Sequence, residues 1–209
     1  MLRYLTADAL ARFPKLHDTM FRDRAAQFSQ RLGWAVSVNA LGHERDQYDD
    51  LNPLYVIWQQ PDGSHGGSMR FLSTTGRCMV NEHFRHLNAG RPLQDPAIWE
   101  CTRFCLSPGA APQVAAALML AGGELLSRNG LVHFVGVFDA NMERIYHRIG
   151  SCPQVLGSAG DGRARVSLGL WSLCPQARTH VARRARISEA LSDLWYRRAF
   201  GEGTLNAAA

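Results

Sequence analysis

The chain has 209 residues, 46% of them hydrophobic, enough for a real core in one large domain or two small ones. Its 23 Lys+Arg against 18 Asp+Glu leave a net charge of +5, which permits an acidic partner without demanding one. No apolar run reaches membrane-spanning length, and five cysteines without a C-x-x-C pair indicate neither a disulfide framework nor a zinc site, so no metal is expected.

The first residues, MLRYLTADALARF, carry charge and do not read as a signal peptide, so a cytoplasmic protein is expected. Residues 7–32 place Leu10, Phe13, Leu16, Met20, Phe21, Phe28 and Leu32 at helical spacing, and Pro14 divides the helix they predict. Ala35 to Leu41 (AVSVNAL) predicts a short strand. After the acidic stretch HERDQYDD (43–50), Leu54 to Gln59 and Gly67 to Ser73 predict a hairpin turned at PDGS (61–64). Arg77 to Leu87 reads as partly helical, and 91–97, with Pro92 and Pro96, as a loop.

Ile98 to Leu106 (IWECTRFCL) predicts a strand, SPGAAP a loop, and VAAALMLAGGELLSR a helix weakened at its middle by Gly122 and Gly123. Leu131 to Phe138 reads as a buried strand. Asp139 then caps a helix that ends at Gly150. Arg163 to Leu173 predicts another strand, Arg178 to Phe200 a last, arginine-rich helix, and 201–209 a disordered tail. This order describes one α/β (α+β) domain around a mixed sheet.

Three features exceed what fold-building needs. Glu44, Asp46, Asp49 and Asp50 crowd into eight residues of a basic chain, Arg70 interrupts the strand GGSMRFL, and Glu100 and Arg103 interrupt WECTRF (99–104). Strand alternation sends Glu100 and Thr102 one way and Cys101 and Arg103 the other, unless a bulge changes the phase. Buried charges need partners, so structural ion pairs explain Arg70, Glu100 and Arg103 as readily as catalysis does. Acidic runs are usually solvated loops, yet Asp46-x-x-Asp49 in a turn also suits a cation or an arginine. By default Phe28, Trp34 and Phe84 are core and Arg24 a surface charge.

Taken together, Arg24-x-x-x-Phe28, Leu32-Gly33-Trp34, Glu44-x-Asp46-Gln47-Tyr48-Asp49, Tyr55-Val56, Gly67-x-x-Arg70-x-Leu72-x-x-Thr75, Phe84 and Trp99-Glu100-x-x-Arg103-Phe104 form an ordered pattern. It closely resembles the acyl-homoserine-lactone synthases, the LuxI-type autoinducer synthases of quorum-sensing bacteria. The likeness covers about residues 20–106 and continues more weakly through Met142 to Gly150. It implies a single domain with a GCN5-related N-acyltransferase-like mixed twisted sheet flanked by helices. It also implies two substrates, S-adenosylmethionine and an acyl donor, which is acyl carrier protein or, in some members, acyl-CoA; no further cofactor is implied. The acyl group passes to the amine of S-adenosylmethionine. The substrate carboxylate then attacks its own γ-carbon, closing the lactone and expelling 5′-methylthioadenosine.

By that resemblance Glu100 is the general base, with Asp46 as rival and Arg103 beside them. Arg24, Phe28 and Trp34 belong to a mobile N-terminal segment, 1–34, that closes over S-adenosylmethionine. Glu44, Asp49, Arg70 and Phe84 complete its pocket. Thr102 either orients the thioester carbonyl or satisfies the strand. SPGAAP lacks the usual Gly-rich pyrophosphate turn, which favours a carrier-protein donor. Met119, Leu120, Leu125, Phe134, Val137 and Trp171 are acyl-wall candidates, each also readable as ordinary core. Gly136 aligns near a threonine common in makers of 3-oxo signals and cannot supply its hydroxyl. Arg178, Arg183, Arg184 and Arg186 form a basic face for an acidic carrier protein or simply a solvated one. No nucleic-acid motif accompanies the charge. The rival function is a related N-acyltransferase using CoA and another amine. Arg24, Phe28, Trp34, Asp46 and Asp49 around one cavity would favour the synthase.

Overall fold

The computed structural model describes residues 1–201. Strand β1 (Leu2–Thr6) leads into a one-turn helix α1 (Ala7–Leu10), whose start is capped by the Thr6 side chain. Helix α2 (Pro14–Arg24) starts on Pro14, where the missing N–H costs nothing, and runs directly into a π-helical stretch, Ala25–Arg31. Strands β2 (Leu54–Gln59) and β3 (His65–Ser73) form the predicted hairpin. A short helix α3 (Met79–His83) precedes β4 (Ile98–Leu106). Then follow α4 (Gln113–Arg128), β5 (His133–Asp139) and α5 (Ala140–Ile149). The chain continues through β6 (Gln154–Ala159), β7 (Val166–Ser172), α6 (Pro175–Ala185) and α7 (Glu189–Phe200).

The sheet has seven strands in the order β1-β2-β3-β4-β5-β7-β6, antiparallel except for the parallel pair β4–β5. The β4–β5 ladder covers only Ile98↔His133 to Glu100↔Val135, although both strands run on. Beyond Glu100 the two strands part. On one face, α4 buries Leu118 and Leu125 with Val56, Met69, Phe71 and Phe134. On the other, Leu16, Met20 and Phe21 of α2 pack on Tyr55 and Ile57.

Several predicted elements differ. Residues 35–41 form no strand: Gly33 and Gly42, both at positive φ, bracket them, and only an isolated Val38↔Glu44 bridge forms. The sheet edge beside β2 is taken instead by β1, a strand the sequence reading missed although Leu2 and Tyr4 alternate inward. β6 was also missed, since its half-exposed residues carry no apolar alternation. The single C-terminal helix breaks at Arg186, which takes a left-handed φ of 57°, and Ser188 caps the restart. Asp139 and Gly150 cap α5 as expected. In the expected tail, residues 202–209 lie outside the described residues.

Candidate active site

Arg24, at the end of α2, is fully buried and spans two carboxylates. Its Nε donates to Glu44 at 2.6 Å, and its two terminal nitrogens donate to the two oxygens of Asp49 at 2.9 Å each. Arg70 donates to Asp49 at 2.8 Å, to both oxygens of Asp46, and through Nε to the Thr102 hydroxyl at 3.0 Å. Arg103 bridges Glu44 at 3.0 Å and Asp46 at 2.7 Å. The Tyr55 hydroxyl adds a 2.6 Å hydrogen bond to Asp49. Three guanidinium groups thus meet three carboxylates, and the charges cancel. HERDQYDD is therefore the partner of arginines from three distant segments; Asp50 alone among its acids lies exposed, pairing with Arg45.

Arg103 joins this network through a backbone irregularity. β3 pairs Ser68 with Cys105 and Arg70 with Thr102, so two residues of β4, Arg103 and Phe104, oppose Met69 alone. Arg103 sits at a left-handed φ of 53°. The bulge turns its side chain to the face shared by Arg70 and Thr102, where strict alternation would have sent it toward α4. The sequence reading allowed for this phase change without being able to place it.

The carboxylates differ in state. Asp46 is held below the ordinary range: burial opposes ionisation, but the hydrogen bond and charge of Arg70, then the charge of Arg103, outweigh it. Asp49 is lowered further, with burial overcome by Arg24 and Arg70. Glu100, buried on the same face, is raised by burial despite accepting the backbone amides of Met79 and Val80 at 2.9 and 2.5 Å.

Two cavities meet at this network. A polar one of about 520 Å³ is lined by Glu44, Asp46, Tyr48, Met79, His83 and Arg103 among others. A larger one of about 1080 Å³ takes residues from both sheet faces, Thr102 and Arg103 on one and Cys101 and Phe134 on the other, and so runs through the gap between β4 and β5. Ala35, Val36, Met79, His83 and Arg103 line both. Both volumes lie near the usual range for small-molecule sites.

The predicted residues divide between these spaces. Thr102, Met119, Leu120, Phe134, Gly136, Val137 and Trp171 line the larger cavity, whereas Leu125 is core. Phe28, Trp34 and Phe84 also line the larger cavity rather than the acidic one. Phe28 and Trp34 stack at 5.1 Å, and the Arg103 guanidinium lies 5.4 Å over Phe28. Arg24, Asp49, Arg70 and Glu100 line neither cavity and stand behind the walls. Of the five residues expected around one cavity, Phe28 and Trp34 line the larger, Asp46 lines the smaller, and Arg24 and Asp49 line neither. Arg178 turns inward to the buried Glu124 at 2.7 Å, while Arg183, Arg184 and Arg186 stay exposed. Tyr48, Met79 and His83 went unweighed in the sequence; only Tyr48, inside the acidic stretch, carried a signal.

The sequence profile described as Autoinducer synthase matches residues 9–170. An acyl-homoserine-lactone synthase of Rhizobium etli is 40% identical over 200 residues, covering 92% of this chain and 94% of the relative. The chain belongs to the autoinducer synthase family. Its curated relatives are acyl-homoserine-lactone synthases, which are acyltransferases. The fold agrees with that of a CoA-dependent acyl-homoserine lactone synthase, BjaI, solved with SAM and isopentyl-CoA. The TM-score is 0.80 at 23% identity, covering 90% of each chain. An acyl-CoA N-acyltransferase from Pseudomonas aeruginosa shares the architecture more distantly, with a TM-score of 0.51 at 12% identity over 80% of this chain and 97% of that one. Among the described residues no helix is long and apolar enough to cross a membrane.

Proposed function

We propose that the protein makes an acyl-homoserine lactone. It transfers an acyl group from a thioester donor to the amine of S-adenosylmethionine, and lactonisation follows with release of 5′-methylthioadenosine. The observation that carries this reading is the meeting of an acid-walled cavity with a larger, mostly apolar one at Arg103. The first, where Glu44, Asp46 and Asp50 outnumber Arg45 and Arg103, suits a compact cationic substrate and the second an acyl chain. Glu44 and Asp46 face the cation, while Arg24, Asp49 and Arg70 hold them in place from behind.

The acceptor amine must shed a proton before it attacks the thioester. Glu100 is the better base of the two carboxylates, because burial raises its proton affinity whereas two arginines depress that of Asp46. Since Glu100 lines neither cavity, it acts through a water. Thr102, which accepts from Arg70, keeps its own hydroxyl hydrogen for the thioester carbonyl. Closure over the substrate belongs to residues 25–42 rather than to all of 1–34, because β1 and α2 are locked into the sheet and its core. Trp34, 45% exposed, offers the aromatic face that Arg103 leaves free for a sulfonium.

The donor is acyl carrier protein, which Arg183, Arg184 and Arg186 would meet, or acyl-CoA. The deciding experiment incubates the purified protein with S-adenosylmethionine and panels of acyl carrier proteins and acyl-CoAs, with lactone and methylthioadenosine read by mass spectrometry. No lactone from any donor would reject the proposal. Acylation of other amines from CoA, without methylthioadenosine, would establish the N-acyltransferase alternative.

A further inference from the structure

Gly122 and Gly123 stand in the middle of α4, where each costs about a fivefold loss in the local folding equilibrium relative to alanine. Glycine in such a place is usually required by backbone shape or by close packing. Neither applies. Both residues are helical, and neither is among the glycines with positive φ. A Cβ on Gly123 would meet nothing within 4 Å, and one on Gly122 would lie 3.6 Å from Phe134 and 3.8 Å from Met69, ordinary contact distances. Alanine would therefore fit at either position.

What the two glycines do supply is space. Both line the larger cavity, on the helix face that also presents Met119, Leu120 and Leu126 to it. The same cavity is lined by Phe134 and Trp171 of the sheet and Val181 of α6, Phe134 lying close to Gly122. Side chains at 122 and 123 would project into this volume, toward Phe134 in the first case and into open space in the second.

We infer that Gly122 and Gly123 are specificity-determining residues that keep the cavity deep enough for long straight-chain acyl groups. This rests on the acyl-transfer function proposed above. The cavity of about 1080 Å³ is shared between the Phe28 and Trp34 side and the acyl wall, and still exceeds what a butanoyl or hexanoyl group needs. Filling position 123 with leucine or phenylalanine removes up to about 150 Å³, roughly the space of a benzene ring. The loss falls on the longest chains and spares the short ones.

The test compares kcat/KM of wild type, Gly123→Ala, Gly123→Leu and Gly123→Phe across donors from butanoyl to hexadecanoyl, beside the thermal midpoint of each. Wild type is expected to prefer dodecanoyl and longer donors. Gly123→Leu and Gly123→Phe are expected to shift the ratio of short-chain to long-chain turnover by at least about tenfold, the discrimination that a methylene or more brings in an apolar pocket. Gly123→Ala is expected to raise the midpoint by about 2–4 °C and to trim only the longest chains. It also keeps the test informative should the larger variants misfold. A wild type that turns over donors with an unchanged length profile in every folded variant would overturn this inference alone. A wild type that turns over no donor would overturn the function beneath it.

Discussion

On one side of Arg103, Asp46 and Asp49 are fixed by guanidinium groups from α2, β3 and β4. On the other, Phe134, Gly136 and Trp171 are fixed by packing and by the divergence of two strands. The first region has direction: each oxygen has a donor, and removing one partner strands a buried charge. The second has shape, and tolerates exchange where volume is kept. A substrate with charges in known places needs the former, and a chain that varies only in length needs the latter.

The largest expected effect tests the chemistry at the border. Glu100→Gln is expected to lower kcat by about 10²–10⁴-fold, the range for loss of a general base, in a folded protein of lower thermal midpoint, because the amide can accept from only one of the Met79 and Val80 N–H groups. Unchanged turnover would take Glu100 out of the mechanism. Next, Asp49→Ala is expected to cost about 3–5 kcal/mol in urea unfolding, because it leaves Arg24 and Arg70 buried and short of a partner. A cost near zero would mean that the charged side is no more directional than the apolar one.

Acid sharpens the same contrast. Asp46 and Asp49 have lowered folded-state pKa values, so their stabilisation is present above the ordinary carboxylate value of about 3.9 and is lost as pH falls below it. Glu100, raised, has the opposite sign: its contribution favours folding while protonated and fades as pH rises through its folded value. Urea midpoints are therefore expected to fall from about pH 5 downward, and Asp49→Asn to flatten the slope. On the apolar side, Gly136→Thr is expected to cost about 1–3 kcal/mol, since a Cβ there would lie 2.8 Å from the Cys101 carbonyl. That clash argues against a hydroxyl at this position for a 3-oxo group. The smallest effect is expected from exchanging Arg183, Arg184 and Arg186 for alanine together. This should slow association with an acidic carrier protein several-fold at low salt and less at high salt, while leaving acyl-CoA turnover as it was.

The two regions were unequally legible in the sequence. Arg70, Glu100 and Arg103 announced themselves because charge inside an apolar strand is costly without a partner. Their partners Glu44, Asp46 and Asp49 came from one conspicuous acidic run. The acyl wall offered no such contrast: Met119, Phe134 and Trp171 look like core until a cavity is seen beside them, and Leu125, chosen on the same grounds, is core. Gly122 and Gly123 were visible as a weakness in a helix, not as a space. Local backbone was hardest to read. The turn at Arg186 and the bulge at Arg103 use a left-handed arginine, where composition would look for glycine. β1 hid in a short segment whose strand character depends on β2 lying beside it.

Arg103 holds a backbone conformation that glycine or asparagine would hold with less strain, by about 1 kcal/mol or more. Arg103→Gly would relieve that strain but leave Glu44 and Asp46 without the guanidinium that joins them, a loss of about 3–5 kcal/mol, so a library sorted for heat resistance would keep the arginine. Sorting for turnover would retain the arginine and the strain with it. At this one position in the fold, selection for robustness and selection for catalysis keep the same residue, and the backbone strain persists under both.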